Sequence, residues 1–150
     1  MAEETVSIVI IDDHPAIRHG LAAILKKQKT FEVAGQVKNA EEALEVVAKT
    51  KPDIIILDIS LGESDGIDLI DGFKKLSPET RIIMYTMHLN KDLIAWSIEA
   101  GAHGYLLKSD RTEELVEAVN NVFHGKFHLS SNIPQDVLTD FPQLKKTGVF

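Results

Sequence analysis

Acids, a hydroxyl and an ammonium recur in this chain at one kind of place, the end of a short apolar run. Asp12 and Asp13 follow VSIVII, Asp58 follows DIIIL, Thr86 closes RIIMYT and Lys108 closes GYLLK. A single polar residue after a strand means little, because connections are exposed. Apolar runs that each stop on a chemically active group point to one site assembled from several segments. Carboxylates gathered there repel one another: two unit charges about 4 Å apart oppose each other by about 4 kcal/mol at an effective dielectric near 20, so the cluster needs a cation or protons. The donors are oxygens, and the chain has no cysteine and no cluster of histidines, which favours Mg2+ over zinc. Mg2+ takes one or two carboxylates and bridges to phosphate oxygens, so the implied chemistry is phosphoryl transfer. Asp58, the third carboxylate, can be the nucleophile, with Lys108 and Thr86 binding or neutralising phosphoryl oxygens.

Such a site requires elements that bring remote residues together. The apolar runs at Val6–Ile11, Phe31–Val37, 53–57, Arg81–Thr86 and 104–108 mostly lack apolar-polar alternation, as expected for parallel strands covered on both faces. Between them lie helical stripes: Ile17, Leu21, Ile24 and Leu25; Ala40, Ala43, Leu44, Val47 and Ala48; and Ile67, Ile70, Phe73 and Leu76. A fourth helix spans 93–100 and is closed by Gly101; a fifth spans Thr112–Phe123 and ends near Gly125. Five strand-helix alternations predict an α/β fold, a doubly wound five-stranded parallel sheet with five helices, whose ligands sit beyond the carboxyl ends of the strands.

A chain of 150 residues suits one domain with a substantial core. From about Leu129 the periodicity fades and two prolines intervene, so the reading is a domain over 1–128 and a tail or linker over 129–150. Absent cysteines fit a reducing compartment; with no stretch of ~20 apolar residues and an acidic, polar start, the expectation is a cytoplasmic protein without a membrane partner. The formal net charge of -7 argues against this chain clamping DNA by itself.

The segments IVIIDDHPAIRHGL, PDIIILDISLGESDGIDLI, IIMYTMH and AGAHGYLLKS together resemble the receiver domain of bacterial two-component response regulators, and the Asp-Asp-His-Pro and Arg-x-Gly-Leu details resemble its NarL/LuxR-like subfamily. The resemblance covers roughly residues 6–128. It implies a flavodoxin-like sheet of order 2-1-3-4-5 and Asp58 as acceptor of a phosphoryl group from a histidine kinase. It further implies Mg2+ bound by Asp13, Asp58 and the backbone carbonyl of Ser60, with Asp12 acting through water. Thr86 and Tyr105 would form a switch in which the hydroxyl moves to the phosphoryl group and the ring turns inward. Ser60 and His88 would tune its loss, making the domain a slowly self-dephosphorylating switch rather than an enzyme. The subfamily's parent proteins carry a DNA-binding helix-turn-helix output domain that this chain lacks, so DNA is expected as a partner only through that domain; a homodimer is an open expectation.

Plainer readings compete. Asp12 and Asp13 alone would suit a helix start. His14, His19 and His103 read as surface or capping residues, and His124 with His128 is an improbable zinc pair because Gly125 interrupts their helix. Trp96 suits either core or an exposed anchor, and Lys145 with Lys146 a solvated pair. Rival functions are a Mg2+-dependent aspartyl-phosphate hydrolase, a single-domain regulator, and a docking module without chemistry. Against the hydrolase stand Ser60 where a general acid would be needed and the lack of a cap insertion.

Overall fold

The computed structural model describes residues 4–138. Strand and helix alternate as β1 (Val6–Ile11), α1 (Pro15–Lys26), β2 (Phe31–Val37), α2 (Ala40–Thr50), β3 (Ile54–Leu57), α3 (Gly66–Leu76), β4 (Arg81–Thr86), α4 (Lys91–Ala100), β5 (Gly104–Leu107) and α5 (Thr112–Phe123), followed by β6 (His128–Leu129) and α6 (Gln135–Leu138). The sheet order is β2-β1-β3-β4-β5-β6 and every pairing in it is parallel.

The continuous apolar runs have the cause expected of them. Val9, Ile11, Ile55 and Leu57 face a layer that includes Ala43 and Val47 of α2, Ile70 and Phe73 of α3 and Ile94 of α4. Their neighbours Ile8, Ile10, Ile54 and Ile56 face Leu21 and Leu25 of α1 and Leu115, Val119 and Val122 of α5. Both faces are thus covered, and each fully buried aliphatic side chain contributes roughly 1.5–3 kcal/mol relative to its exposed state. The helices start where the chain can satisfy their free N–H groups: Pro15 opens α1, and Asn39, Asp65 and Asn90 accept backbone N–H bonds at the starts of α2, α3 and α4. Gly101, at φ 108, closes α4 in a conformation that favours glycine.

Three expectations change. Asp53 and Lys108 flank their strands instead of belonging to them, and Asp53 receives the backbone N–H and the hydroxyl of Ser7. The sheet has six strands, not five, and α6 makes a sixth helix. Leu129, Ser130 and Ile133, assigned by sequence to a tail, are buried. The cause is a set of specific bonds too local to leave a periodic signal. His128 and Leu129 pair with Gly104 and Tyr105, and the Ser130 N–H donates to the Tyr105 carbonyl at 2.9 Å. Ser130 Oγ and Asn132 Nδ2 each donate to Asp110 Oδ1 at 2.7 Å, while the Ser131 N–H donates to Glu114 Oε2 at 2.7 Å. Burial pushes the Glu114 carboxyl up, but the bonds from Ser131 and His128 outweigh it and hold it below its usual range. The folded unit therefore continues past 128; the stretch 139–150, with Lys145 and Lys146, lies outside the described residues.

At the amino ends of the strands, buried polar groups are paired. Thr80 donates to the Pro52 carbonyl and shares a 2.6 Å bond with Ser77, and Arg81 Nη1 donates to the Val122 carbonyl at 2.8 Å. The Ile82 N–H donates to His103 Nδ1 at 3.1 Å. Burial, with the charges of Lys74 and Arg81, lowers His103 to about 4.

Candidate functional site

Strand register explains why distant acids meet. Ile11 lies opposite Leu57, and the Asp58 N–H donates to the Ile11 carbonyl at 3.0 Å, so Asp12 and Asp58 leave adjacent strands at one level. Leu57 lies opposite Met84 and Thr86 opposite Leu107, and the Lys108 N–H donates to the Thr86 carbonyl at 2.8 Å. The ends of β1, β3, β4 and β5 thereby deliver Asp12, Asp58, Thr86 and Lys108 to one end of the sheet.

Lys108 Nζ donates to Asp58 Oδ2 at 3.0 Å and lies 3.0 Å from Asp12 Oδ2. Asp12, Asp58 and the lysine side chain are nearly inaccessible, whereas the Asp13 side chain remains 32% exposed. The Asp12 carbonyl accepts from Arg18 Nη1 at 2.7 Å, which ties the acidic loop to α1. Asp13 Oδ2 accepts from the Gly62 N–H at 2.9 Å, and Asp58 Oδ1 accepts from the Ser60 N–H at 3.3 Å. Burial pushes the Asp58 carboxyl above its usual range; the Lys108 hydrogen bond works against this and the Asp12 charge with it.

The pocket suits a divalent cation on its own chemistry. Asp12 Oδ2 and Asp13 Oδ1 are buried without a hydrogen-bond partner, each having only a charge contact, Lys108 Nζ 3.0 Å from the first and His14 Nδ1 3.0 Å from the second. Buried carboxylate oxygens left unpaired are costly, and a metal ion is the usual remedy. Ligand atoms of Asp12, Asp13, His14 and Asp58 lie within 4.8 Å of one another. The three hard carboxylates fit Mg2+.

Thr86 and Tyr105 meet at one point of backbone. The Thr86 hydroxyl accepts from the His88 N–H at 3.2 Å, and the Tyr105 hydroxyl donates to the His88 carbonyl at 2.7 Å. The Tyr105 ring is fully buried. Ser60 opens a two-residue antiparallel ladder with 64–65, turned by Gly62 at φ 60. Beside Thr86, Met87 and Leu89 are exposed, and Trp96 is 54% exposed, which decides in favour of an exposed ring.

Sequence reasoning missed two residues. His14, set aside as a surface or capping group, makes no side-chain cap bond at the start of α1 and instead enters the acid cluster; the available signal was a poor capping residue directly after two acids. Gly66 is the other: a Cβ there would lie 2.2 Å from the Asp58 carbonyl oxygen, so only glycine lets α3 begin against the backbone of Asp58.

The response regulator receiver domain family matches residues 8–120 of this chain. The chain belongs to that family. Among curated relatives, the receiver domain is 39% identical over 132 residues to the uncharacterized transcriptional regulatory protein YhcZ of Bacillus subtilis, covering 88% of this chain and 61% of that protein. It is 34% identical over 128 residues to the transcriptional regulatory protein MctR of Rhizobium johnstonii, covering 85% of this chain and 60% of that one. The chain thus spans about three fifths of these relatives. A crystal structure of a two-component response regulator of the LuxR family from Aurantimonas sp. SI85-9A1 superimposes with a TM-score of 0.86 at 30% identity, covering 91% of this chain and 98% of that one. The resemblance to NarL/LuxR-type regulators therefore holds in sequence and in fold. Phosphorylation on aspartate is general among receiver domains, which act as phospho-acceptor switches, pair with histidine kinases and bind Mg2+ at an acidic pocket. No helix among the described residues is long and apolar enough to cross a membrane.

Proposed function

We propose that Asp58 is the phospho-acceptor, that Asp12, Asp13, Asp58 and the Ser60 carbonyl hold Mg2+, and that Lys108, Thr86 and Tyr105 convert the modification into a change of surface. The observation that carries this reading is a buried aspartate, Asp58, whose Oδ2 is held by Lys108 Nζ at 3.0 Å while buried oxygens of two further aspartates lie beside it without a hydrogen bond. A carboxylate oxygen of Asp58 attacks the phosphorus of a kinase phosphohistidine; the P–O bond forms as the P–N bond breaks, and the imidazole leaves. Bound Mg2+ supplies charge neutralisation for the carboxylates and the incoming phosphoryl oxygens. Lys108 is within reach of the acceptor and supplies a second positive charge.

The Thr86 hydroxyl has to give up its bond from the His88 N–H to reach the new group, and Tyr105 is tied to the same residue through the His88 carbonyl. Movement of Thr86 therefore acts on the segment bearing exposed Met87 and Leu89, which leads into α4 with its exposed Trp96. Inverting a 1:99 population needs about 5.5 kcal/mol of differential stabilisation, which a doubly charged group held by Lys108 and Thr86 can supply. Ser60 and His88, two residues beyond Asp58 and Thr86, flank the attacking water and tune a slow self-hydrolysis. In the whole protein this domain controls a DNA-binding output module outside residues 1–150, in the cytoplasm, with homodimerisation through the switched surface. The single-domain alternative differs only in lacking that module.

The test is incubation with acetyl phosphate and Mg2+, read by intact mass and by released phosphate. One phosphoryl group per chain, lost in Asp58→Asn, is the expected result. Many turnovers per chain would establish a hydrolase, and no labelling a docking module.

A further inference from the structure

His14 is the one imidazole that the fold brings to the acid cluster. Its Nδ1 lies 2.8 Å from Asp12 Oδ1, 3.0 Å from Asp13 Oδ1 and 3.6 Å from Asp58 Oδ2. Backbone geometry puts it there. The His14 N–H donates to Asp12 Oδ1 at 2.8 Å, and the residue is extended at φ -92 and ψ 108, as the following Pro15 demands. The side chain is 53% exposed, and the polar partners of its Nδ1 are the carboxylates themselves. One nitrogen thus shares its space with three oxygens that the proposed function assigns to a metal ion.

We propose that His14 supplies a nitrogen ligand to the divalent ion, so that this pocket is a mixed oxygen-nitrogen site that favours Mn2+ and later first-row ions over Mg2+. The inference rests on the reading that the acid cluster holds a divalent ion. Carboxylates and water suit Mg2+, whereas an imidazole adds little for Mg2+ and more for each metal along the first-row affinity order. The ring need not swing to serve, since Nδ1 already lies among the oxygen donors, all four ligand atoms being within 4.8 Å of one another; ion binding replaces the proton that Nδ1 now donates to the carboxylates, leaving the other ring nitrogen protonated. His14 would then set which ion the domain uses.

Electron spin-echo spectroscopy of the Mn2+-bound chain reads this directly, because a nitrogen bonded to Mn2+ modulates the echo. The expected result is a 14N modulation that disappears in His14→Ala and in His14→Gln and persists in His19→Ala. Competition between Mn2+ and Mg2+, followed by Trp96 fluorescence, should show the preference for Mn2+ falling by about tenfold in both His14 variants. His14→Gln keeps a polar side chain, and thermal melting confirms that each variant is folded. Bound Mn2+ without nitrogen modulation, modulation that survives in the His14 variants, or an unchanged preference would each overturn the inference while leaving the acidic ion site standing. Failure of both ions to bind the wild-type chain would overturn the ion site and this inference together.

Discussion

The two ends of the sheet handle buried polar groups in opposite ways. At the amino ends, Thr80, Ser77 and Arg81 find hydrogen-bond partners, and His103 accepts the Ile82 N–H. At the carboxyl ends, Asp12 and Asp58 share one lysine with Asp13 beside them, and two of the aspartates' buried oxygens have no hydrogen-bond partner. Both ends displace a titratable group toward its neutral form, His103 downward and Asp58 upward, each chiefly through burial. The difference is compensation: one end is satisfied by the protein alone, while the other keeps buried carboxylate oxygens without a hydrogen bond, which the proposed ion and phosphoryl group would complete. On that proposal, stability and chemistry are divided between the two ends.

Gly66→Ala offers the largest disturbance at the reactive end. Its Cβ would meet the Asp58 carbonyl oxygen at 2.2 Å, and a backbone atom cannot simply rotate away. A loss of about 3 kcal/mol in urea unfolding is expected, together with slower labelling from acetyl phosphate. At the finished end, Thr80→Val leaves the Pro52 carbonyl and the Ser77 hydroxyl without their shared partner. That should cost about 2 kcal/mol by the same measurement while leaving labelling intact. Equal loss of labelling in both variants would erase the proposed division between the ends.

The smallest effect concerns pH. His103 binds its proton in the folded state only near pH 4, against 6.5 unfolded, so the unfolded chain binds more protons in between and stability falls as pH drops through that window. Asp58 acts with the opposite sign. Its folded pKa lies above the unfolded 3.8, so it favours the folded state at low pH and loses that contribution as pH rises through its folded value. Melting curves between pH 7 and pH 4 should therefore flatten in His103→Gln. They should steepen in Asp58→Asn, whose melting temperature at pH 7 should exceed that of the wild type by a few degrees.

Much of this was legible in the amino-acid order because burial on both faces leaves unbroken apolar runs, and because the residue after each run lands at one end of a parallel sheet. The positions of Asp12, Asp58 and Lys108 follow from that rule alone. What stayed hidden depends on single contacts. Two residues, His128 and Leu129, are too few to show a period, and their place is fixed by pairing with β5 and by bonds from Glu114 to His128 and Ser131 and from Asp110 to Ser130. Gly66 is silent because close approach of two backbones leaves no pattern, and His14 was discounted because a lone histidine carries no spacing signal.

The added strand has a consequence for assembly. The outer margin of β5 has its hydrogen-bonding groups engaged: the His103 and Tyr105 carbonyls accept from His128 and Ser130, and the Leu107 N–H donates to Asp110 Oδ2. With those amides and carbonyls taken, the sheet margin among the described residues passes to β6, which is only two residues long and is followed by Pro134, so it leaves little template for another chain to extend. Two copies meeting on this flank would join chiefly through helix surfaces and side chains, where contacts can be made and released without tearing a ladder.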